Sequence, residues 1–130
     1  MKIVALLVLV GLLTSGAIIA LRNGTSHAPT QPKNMPNVSM VDGKQIIEIT
    51  AKGGYQPSAS TAKAGIPTVI RFNTHGTFDC SASVRIPRMN ISEMLPSSGA
   101  KDIDIGSPQA GTLEGTCGMG MYPFKIDFQS

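Results

Sequence analysis

A run of sulfur-bearing side chains near the C-terminus is the part of the sequence best suited to chemistry. Cys117, Met119 and Met121 stand at alternate positions, with Gly118 and Gly120 between them. Thiolate and thioether sulfurs are soft ligands that select Cu(I) and similar ions. Methionine also fills gaps in apolar cores, so a strand that packs its sulfurs inward is the competing interpretation. Glycine weakens the interior of a strand, which favours a loop that folds its sulfurs around a small centre.

A second cysteine, Cys80, raises the choice between a metal site and a disulfide. The chain holds 2 cysteines in all. Two cysteines in an exported domain typically form a structural disulfide, whereas two thiolates would bind a soft metal ion. A disulfide alone leaves Met119 and Met121 unexplained. We therefore favour a metal site made of Cys80, Cys117, Met119 and Met121, and keep a disulfide with core methionines as the alternative.

His75, in the loop before Cys80, is the remaining candidate ligand. A neutral imidazole binds copper well, so His75 could complete the site. Nothing in the surrounding sequence fixes the direction of its side chain, and an exposed loop histidine is the interpretation we prefer. Asp79, beside Cys80, could orient a metal ligand, but we expect an ordinary loop carboxylate.

Signatures of catalysis are absent from the sequence. It has no C-x-x-C, G-x-S-x-G or H-E-x-x-H motif and no glycine-rich phosphate loop before a helix. The net charge is +3, from 11 Lys and Arg against 8 Asp and Glu, and no basic run indicates a nucleic-acid partner. Asp102 and Asp104 alternate along a predicted strand, and we expect them on a solvated sheet face. The sequence predicts a binding protein and not an enzyme.

The N-terminal segment predicts where the protein is located. Residues 3–21 carry no charge, and Lys2 and Arg22 flank them. As a helix this run would span about 28 Å, close to the roughly 30 Å of a bilayer's hydrocarbon core. The positive-inside rule keeps the short N-terminus cytoplasmic and exports the remainder. We expect residues 1–22 to be an uncleaved membrane anchor, with a signal peptide cleaved near residues 26–28 as the alternative. Either way, the folded part is extracytoplasmic, on the periplasmic or cell-surface side.

Composition divides the rest of the chain into a tether and one domain. Residues 23–42 are rich in Pro, Asn, Ser and Thr and bury too little apolar surface to fold, so we expect a flexible tether. Residues 43–130 hold short β-rich runs between frequent turn signals. They predict an all-β domain, a Greek-key β-sandwich of about seven strands in antiparallel sheets. The predicted strands are 45–50, 58–63, 68–73, 81–86, 102–105, 111–117 and 124–128, and one short helical turn is expected within 88–98.

Four groups of residues follow one another in the order of a known family. They are Gly54-Tyr55-Gln56-Pro57, then Lys63-Ala64-Gly65-Ile66-Pro67, then Cys80 with Val84, Ile86, Pro87, Ile91, Leu95 and Pro96, and finally Cys117-Gly118-Met119-Gly120-Met121. This pattern resembles the cupredoxin superfamily, and specifically the EfeO-type cupredoxin-like domains with a C-G-M-G-M loop. The resemblance covers nearly all of residues 45–128. It implies a cupredoxin fold in a small exported or membrane-tethered protein associated with copper handling.

The resemblance also implies counterparts for the sulfur residues. Cys117 corresponds to the cupredoxin thiolate ligand, and Met121 to the thioether that follows it. Met119 stands where an electron-transfer cupredoxin has a histidine, and Cys80 lies close to the position of the other histidine. Blue-copper sites use two His, one Cys and a weak axial Met, so this departure favours Cu(I) binding over redox cycling. The family pattern also has an aromatic residue where this chain has Gly115.

These observations together predict an extracytoplasmic copper-binding protein, membrane-anchored or secreted, with Cu(I) as the favoured ion. We expect it to acquire, buffer or deliver copper to a partner such as an exporting ATPase, a partner implied by the resemblance alone. Two alternatives stay open. One is an electron-transfer cupredoxin with an atypical mononuclear copper site. The other is a metal-free interaction module stabilised by a Cys80–Cys117 disulfide.

Overall fold

Alternating apolar and polar residues build two sheets that pack face to face. The computed structural model describes residues 36–130. The predicted anchor and the first part of the predicted tether lie outside these residues. Within the part of the chain that the structure describes, no helix is long and apolar enough to span a bilayer.

The two sheets together contain ten strands among the described residues. They are β1 (Val38–Val41), β2 (Lys44–Ala51), β3 (Tyr55–Gln56), β4 (Ala59–Lys63), β5 (Thr68–His75), β6 (Ser83–Ile86), β7 (Ile91–Met94), β8 (Ser98–Asp104), β9 (Gly111–Cys117) and β10 (Pro123–Gln129). The first sheet has the order β1-β2-β5-β8, with β3 beside β2, and the second has the order β4-β10-β9-β6-β7. The predicted all-β sandwich is confirmed, with three short strands beyond the seven expected.

Two pairs of strands run parallel, which corrects the prediction of antiparallel sheets. β2 pairs with β5 and β4 pairs with β10 in parallel register, whereas the other pairs are antiparallel. After β2 the chain crosses to the second sheet to form β4 and then returns to the first sheet as β5. Because this connection crosses between the sheets, β5 returns in the same direction as β2.

The strand β1 lies inside the segment predicted to be a tether, so that prediction is wrong for Val38–Val41. β1 forms a hairpin with β2, in which Val41 pairs with Lys44. The two residues of the turn, Asp42 and Gly43, both have positive φ, 49° and 76°. An Asp-Gly pair with positive φ at both positions is typical of a two-residue hairpin turn that matches the twist of the strands.

The segment 88–98 contains a strand that the sequence analysis did not predict. A short 3-10 helix, Pro87–Met89, follows β6, and Asn90 then adopts a left-handed conformation with φ of 55°. This reversal lets β7 pair with β6 along the edge of the second sheet. The strand predicted to begin at residue 81 begins at Ser83, because a second 3-10 helix, Cys80–Ala82, precedes it.

An aromatic cluster fills the centre of the sandwich. Tyr55, Phe72 and Phe124 contact one another edge to face, with ring centroids 5.0, 5.7 and 5.8 Å apart. Each such pair contributes about 0.5–1.5 kcal/mol beyond the burial of its area. Since Phe72 belongs to the first sheet and Phe124 to the second, the cluster joins the two sheets directly.

Gly115 leaves the space that the Phe124 ring occupies. The two residues pair across β9 and β10, and a Cβ at Gly115 would lie 2.2 Å from the ring. The ring from the neighbouring strand therefore covers the backbone at position 115. Any larger residue at this position would collide with the core.

We expect Gly115→Ala to lower the free energy of unfolding by about 1–3 kcal/mol, the usual cost of overpacking a core. Denaturant unfolding measures the change. The matched control is the same substitution in a Phe124→Leu background, where the cost of the added methyl should be smaller because the ring is gone. An equal cost in both backgrounds would show that the ring is not what excludes a side chain here.

Candidate metal centre

The pairing of β6 with β9 brings the two cysteines together. Val84 of β6 pairs with Cys117 of β9, and Cys80 lies in the 3-10 helix that leads into β6. The Cα atoms of Cys80 and Cys117 are 5.7 Å apart, and their sulfurs are joined as a disulfide. Cys117 is fully buried, whereas Cys80 is half-buried. The prediction that the two cysteines are neighbours is confirmed.

The glycine-spaced loop turns back on itself directly after Cys117. The Gly120 N–H donates to the Cys117 carbonyl at 3.0 Å, and the Cys117 N–H donates to the Tyr122 carbonyl at 3.2 Å. Gly120 has a φ of 75°, in the left-handed region that glycine favours. A Cβ at Gly118 would lie 2.8 Å from Ser83 Oγ. The two glycines thus serve a tight turn and a close approach to β6.

The two methionines of this loop are exposed to solvent. Met119 has 81% and Met121 has 61% of its surface accessible. A methionine that fills a core would be buried, so the alternative of core methionines is wrong for both residues. The loop places two thioether side chains at the surface, immediately after a buried cysteine sulfur.

His75 is exposed at the C-terminal end of β5, where it pairs with Ser98 of β8. Its backbone N–H donates to Thr77 Oγ1 at 3.4 Å. Across residues 36–130, no group of three or more His, Cys, Asp or Glu residues is arranged to hold a metal ion. His75 is therefore not grouped with the cysteines, and the described residues do not assemble the two-histidine, one-cysteine set of a blue-copper site.

Asp102 and Asp104 lie on a solvated sheet face, as the sequence analysis expected. The Asp102 carboxylate accepts two hydrogen bonds from Arg71, at 2.7 and 2.8 Å. Asp104 is 3.4 Å from the Lys44 ammonium. Both carboxylates are paired with cations at the surface, so they do not form the kind of carboxylate pair that acid–base catalysis uses.

Asp79 holds the cysteine end of the domain together, which the expectation of an ordinary loop carboxylate missed. Its carboxylate accepts hydrogen bonds from the Ser81 N–H at 2.7 Å, from the Gly53 N–H at 2.6 Å and from the Ser81 hydroxyl. The hydrogen bonds from Ser81 hold the pKa of Asp79 below its ordinary value. Asp79 thereby caps the 3-10 helix that contains Cys80 and ties it to the loop after β2.

Tyr55 supports the same end of the domain from inside the core. Its phenol donates to the Ser83 carbonyl at 2.8 Å, at the start of β6. Burial raises the pKa of Tyr55, and the nearby negative charge of Asp79 raises it further. The hydroxyl therefore stays protonated and remains a donor. The sequence analysis noted Tyr55 only as part of a motif, because no local pattern shows which carbonyl a buried tyrosine will meet.

We expect Asp79→Asn to destabilise the protein by about 1 kcal/mol at pH 7, the typical value of one hydrogen bond. Asparagine can still accept from Ser81 through its Oδ1, but its NH2 group then stands against the Gly53 N–H, and that hydrogen bond is lost. Because the folded-state pKa of Asp79 is lowered, its contribution is present above the ordinary Asp pKa of about 4 and is lost as the pH falls through the folded value. The difference between wild type and variant should thus shrink in acid.

Urea unfolding at pH 7 and at about pH 3 measures this difference. Asp42→Asn is the matched control: it makes the same change of charge in the β1–β2 turn, at a residue with a left-handed φ that asparagine also adopts. Equal effects of the two substitutions at pH 7 would contradict the capping function of Asp79.

Comparison with known proteins identifies a family whose sequence pattern this chain matches. A model of the cupredoxin-like domain matches residues 4–126. No curated protein matches the chain. Among solved structures, the metal-binding domain of the Cu(I)-exporting P-type ATPase CopA from Streptococcus pneumoniae D39, determined with Cu(I), is 27% identical with a TM-score of 0.65, and the match covers 72% of this chain and 93% of that domain.

Two further solved structures share the architecture. A copper binding protein determined by NMR in its apo form is 26% identical with a TM-score of 0.65, over 71% of this chain and 94% of that protein. Auracyanin A, a blue copper protein from Chloroflexus aurantiacus, is 16% identical with a TM-score of 0.51, over 67% of this chain and 100% of its own, and shares the fold alone. Since the family model spans most of the sequence, this chain belongs to the family of cupredoxin-like domains.

Proposed function

We propose that this chain is an extracytoplasmic copper-binding protein that holds Cu(I) on the thiolates of Cys80 and Cys117. One observation carries the proposal: the Cα atoms of Cys80 and Cys117 are 5.7 Å apart, although 37 positions separate the two residues in the sequence. The exposed thioethers of Met119 and Met121 follow the second cysteine directly. The similarity to a domain solved with Cu(I) supports the choice of ion.

The donor set fits a soft, singly charged ion. Two thiolates and one Cu(I) have a net charge of −1, which a largely buried site accommodates better than two unpaired thiolates. Thioethers are also soft, and they add donors without adding charge. The half-exposed Cys80 gives the ion a route to the buried Cys117 sulfur. Imidazole from His75 is not needed for this set.

The function that we propose is to acquire, buffer or deliver copper, without catalysis. An N-terminal anchor or signal peptide would place the domain outside the cytoplasm, as the uncharged run of residues 3–21 indicates. A copper-exporting ATPase or another copper-accepting protein is the partner that we propose, on the strength of the similarity to the CopA domain. The narrower assignment to EfeO-type domains also stays a proposal, which rests on the C-G-M-G-M loop.

The disulfide favours a second candidate function, a metal-free interaction module. Cys80 and Cys117 are bonded to each other in the structure, and sulfurs in that state have no thiolate to offer a metal ion. Copper binding requires the reduced pair. Electron transfer has less support, because the described residues do not assemble histidines with a cysteine. The two remaining candidates differ in the oxidation state of the cysteines in the working protein.

We expect Cys117→Ser to abolish nearly all Cu(I) binding, because thiolates combine full charge with softness and dominate the affinity. Loss of Met119 or Met121 singly, by substitution with Leu, should weaken binding by roughly 10- to 100-fold, the range known for supporting groups around metal sites. A competition titration of each reduced variant against a Cu(I) chelator measures these affinities.

His75→Ala is the control for this series, and its Cu(I) affinity should equal that of the wild type. A Cys117→Ser variant with wild-type affinity would contradict the ligand assignment. So would a His75→Ala variant that loses binding while the cysteines are intact.

Counting thiols distinguishes copper binding from the disulfide-stabilised module. In protein purified without oxygen and without added reductant, we expect both cysteines to react with a thiol reagent after denaturation, and Cu(I) to protect them before it. A protein purified in this way with no reactive thiol, which also binds no copper after reduction, would instead support the interaction module.

A further inference from the structure

The strand β1 forms a free edge of the first sheet. β2 lies on one side of β1, and the order β1-β2-β5-β8 of the described strands places none on its other side. The Glu48 N–H donates to the Asn37 carbonyl at 2.8 Å, so the backbone of Asn37 is directed toward β2. In an antiparallel ladder this direction alternates along the strand. The N–H and C=O groups of Val38 and Met40 therefore point away from β2, toward the open edge.

The side chains of β1 leave this edge uncharged and partly apolar. Its sequence is Val-Ser-Met-Val, and Met40 and Val41 are 55% and 53% exposed. Met40 pairs with Gln45, whose buried amide reaches β4 of the second sheet. Since paired residues point to the same face, Met40 extends the inner face of the sandwich beyond the part that is covered. An exposed, uncharged edge is a template on which a further strand can pair.

The other edges among the described strands are protected. Lys101 of β8 meets Glu93 of β7 at 2.8 Å, so both of these edge strands carry a charge. At β4 the Gln45 amide accepts from the Lys63 N–H at 2.8 Å and donates to the Lys63 carbonyl at 3.0 Å. β3 has only two residues and is followed by Pro57, which has no N–H to donate. β1 contains neither a charge nor a proline, the residues that usually keep an edge from pairing.

A second copy of this chain presents the complementary edge. In antiparallel strands, residues opposite each other lie on the same face of the sheet, and successive residues alternate between faces. Val38 can therefore lie opposite Met40 of the other copy, which sets Ser39 opposite its own counterpart. Val38 and Met40 then satisfy each other's free N–H and C=O groups in both copies. A pairing centred on Met40 would instead leave Val38 opposite Asp42 of the turn.

We infer that β1 is a self-association edge, through which two copies of this chain join antiparallel into one continuous sheet. Any strand offers backbone groups to this edge, but a second copy also brings an uncharged strand whose apolar residues lie on the matching face. The contact uses no metal ion, so the inference is independent of the proposed copper binding. A strand of 4 residues from each copy is far smaller than the about 20–30 residues a side of a stable complex. The dimer is therefore weak, and its fraction rises with protein concentration.

Crosslinking of the full-length chain in lipid vesicles tests the register. In the inferred dimer the two Ser39 residues have Cα atoms about 4.5 Å apart, within the range of a disulfide. Under a copper-free oxidant, Ser39→Cys should link two copies at least roughly 10-fold faster than Ser92→Cys, because proximity accelerates the reaction. Ser92, an exposed serine of the edge strand β7, is the matched control, and the wild type reports any link through the native cysteines. Equal rates for the two variants, or a faster reaction of Met40→Cys, would overturn the inference.

A charge on the edge supplies a second measurement. Ser39→Lys would set two ammonium groups directly opposite each other, so we expect the dimer to be lost in sedimentation equilibrium of the full-length chain, whereas Ser92→Lys should keep it. Circular dichroism checks that both variants are folded.

Two results of this measurement would show that the inference is wrong: a wild type that stays monomeric at every concentration, or a dimer that persists in Ser39→Lys. Crosslinks from Ser39→Cys to other proteins, without any homodimer, would assign the edge to a foreign strand and overturn the inference as well. None of these results bears on the proposed copper binding.

Discussion

The pairing of β6 with β9 is the constraint on which the candidate site depends. It sets Val84 beside Cys117, and the 3-10 helix before β6 then places Cys80 within reach of the same sulfur. The ladder between these strands is short, so other contacts hold it in place. Tyr55 donates to the Ser83 carbonyl at the start of β6, and Asp79 caps the helix in front of it. Hydrogen bonds from Asp79 and Tyr55 thus support the segment that carries Cys80.

The same arrangement of cysteines serves two chemical states. Joined to each other, the sulfurs crosslink the second sheet at one end. Reduced, as the proposed function requires, they would offer two thiolates to one soft ion. The Cα separation of 5.7 Å lies within the range that a disulfide spans. The methionines differ in this respect, since Met119 and Met121 are exposed whichever state the cysteines adopt. Oxidation would therefore remove the strong donors and leave the weak ones.

Local sequence patterns predicted most of the strands but not which strands pair with one another. β10 was predicted because Phe124, Ile126 and Phe128 alternate with polar residues, and burial follows that alternation. β1 was missed because its residues are largely exposed and show no such alternation, so that the Asp-Gly turn was its main signal. The parallel pairing of β2 with β5 depends on where the intervening chain crosses, which no local window contains.

The candidate site could likewise be predicted only in part from the sequence. The sulfur residues could be found from their types and spacing, whereas the β6–β9 register that brings the two cysteines together could not, because no local window contains it. The hydrogen bonds of Asp79 with Gly53 and of Tyr55 with Ser83 could not be predicted either, since the partners are distant in sequence.

X-ray absorption at the copper edge, on the reduced wild-type protein loaded with one Cu(I), tests the central claim most directly, because it reports which elements surround the ion. The account predicts a first shell of sulfur alone, from Cys80 and Cys117 together with at least one of Met119 and Met121. A shell that contains imidazole nitrogen, or light atoms in place of the two thiolates, would contradict it.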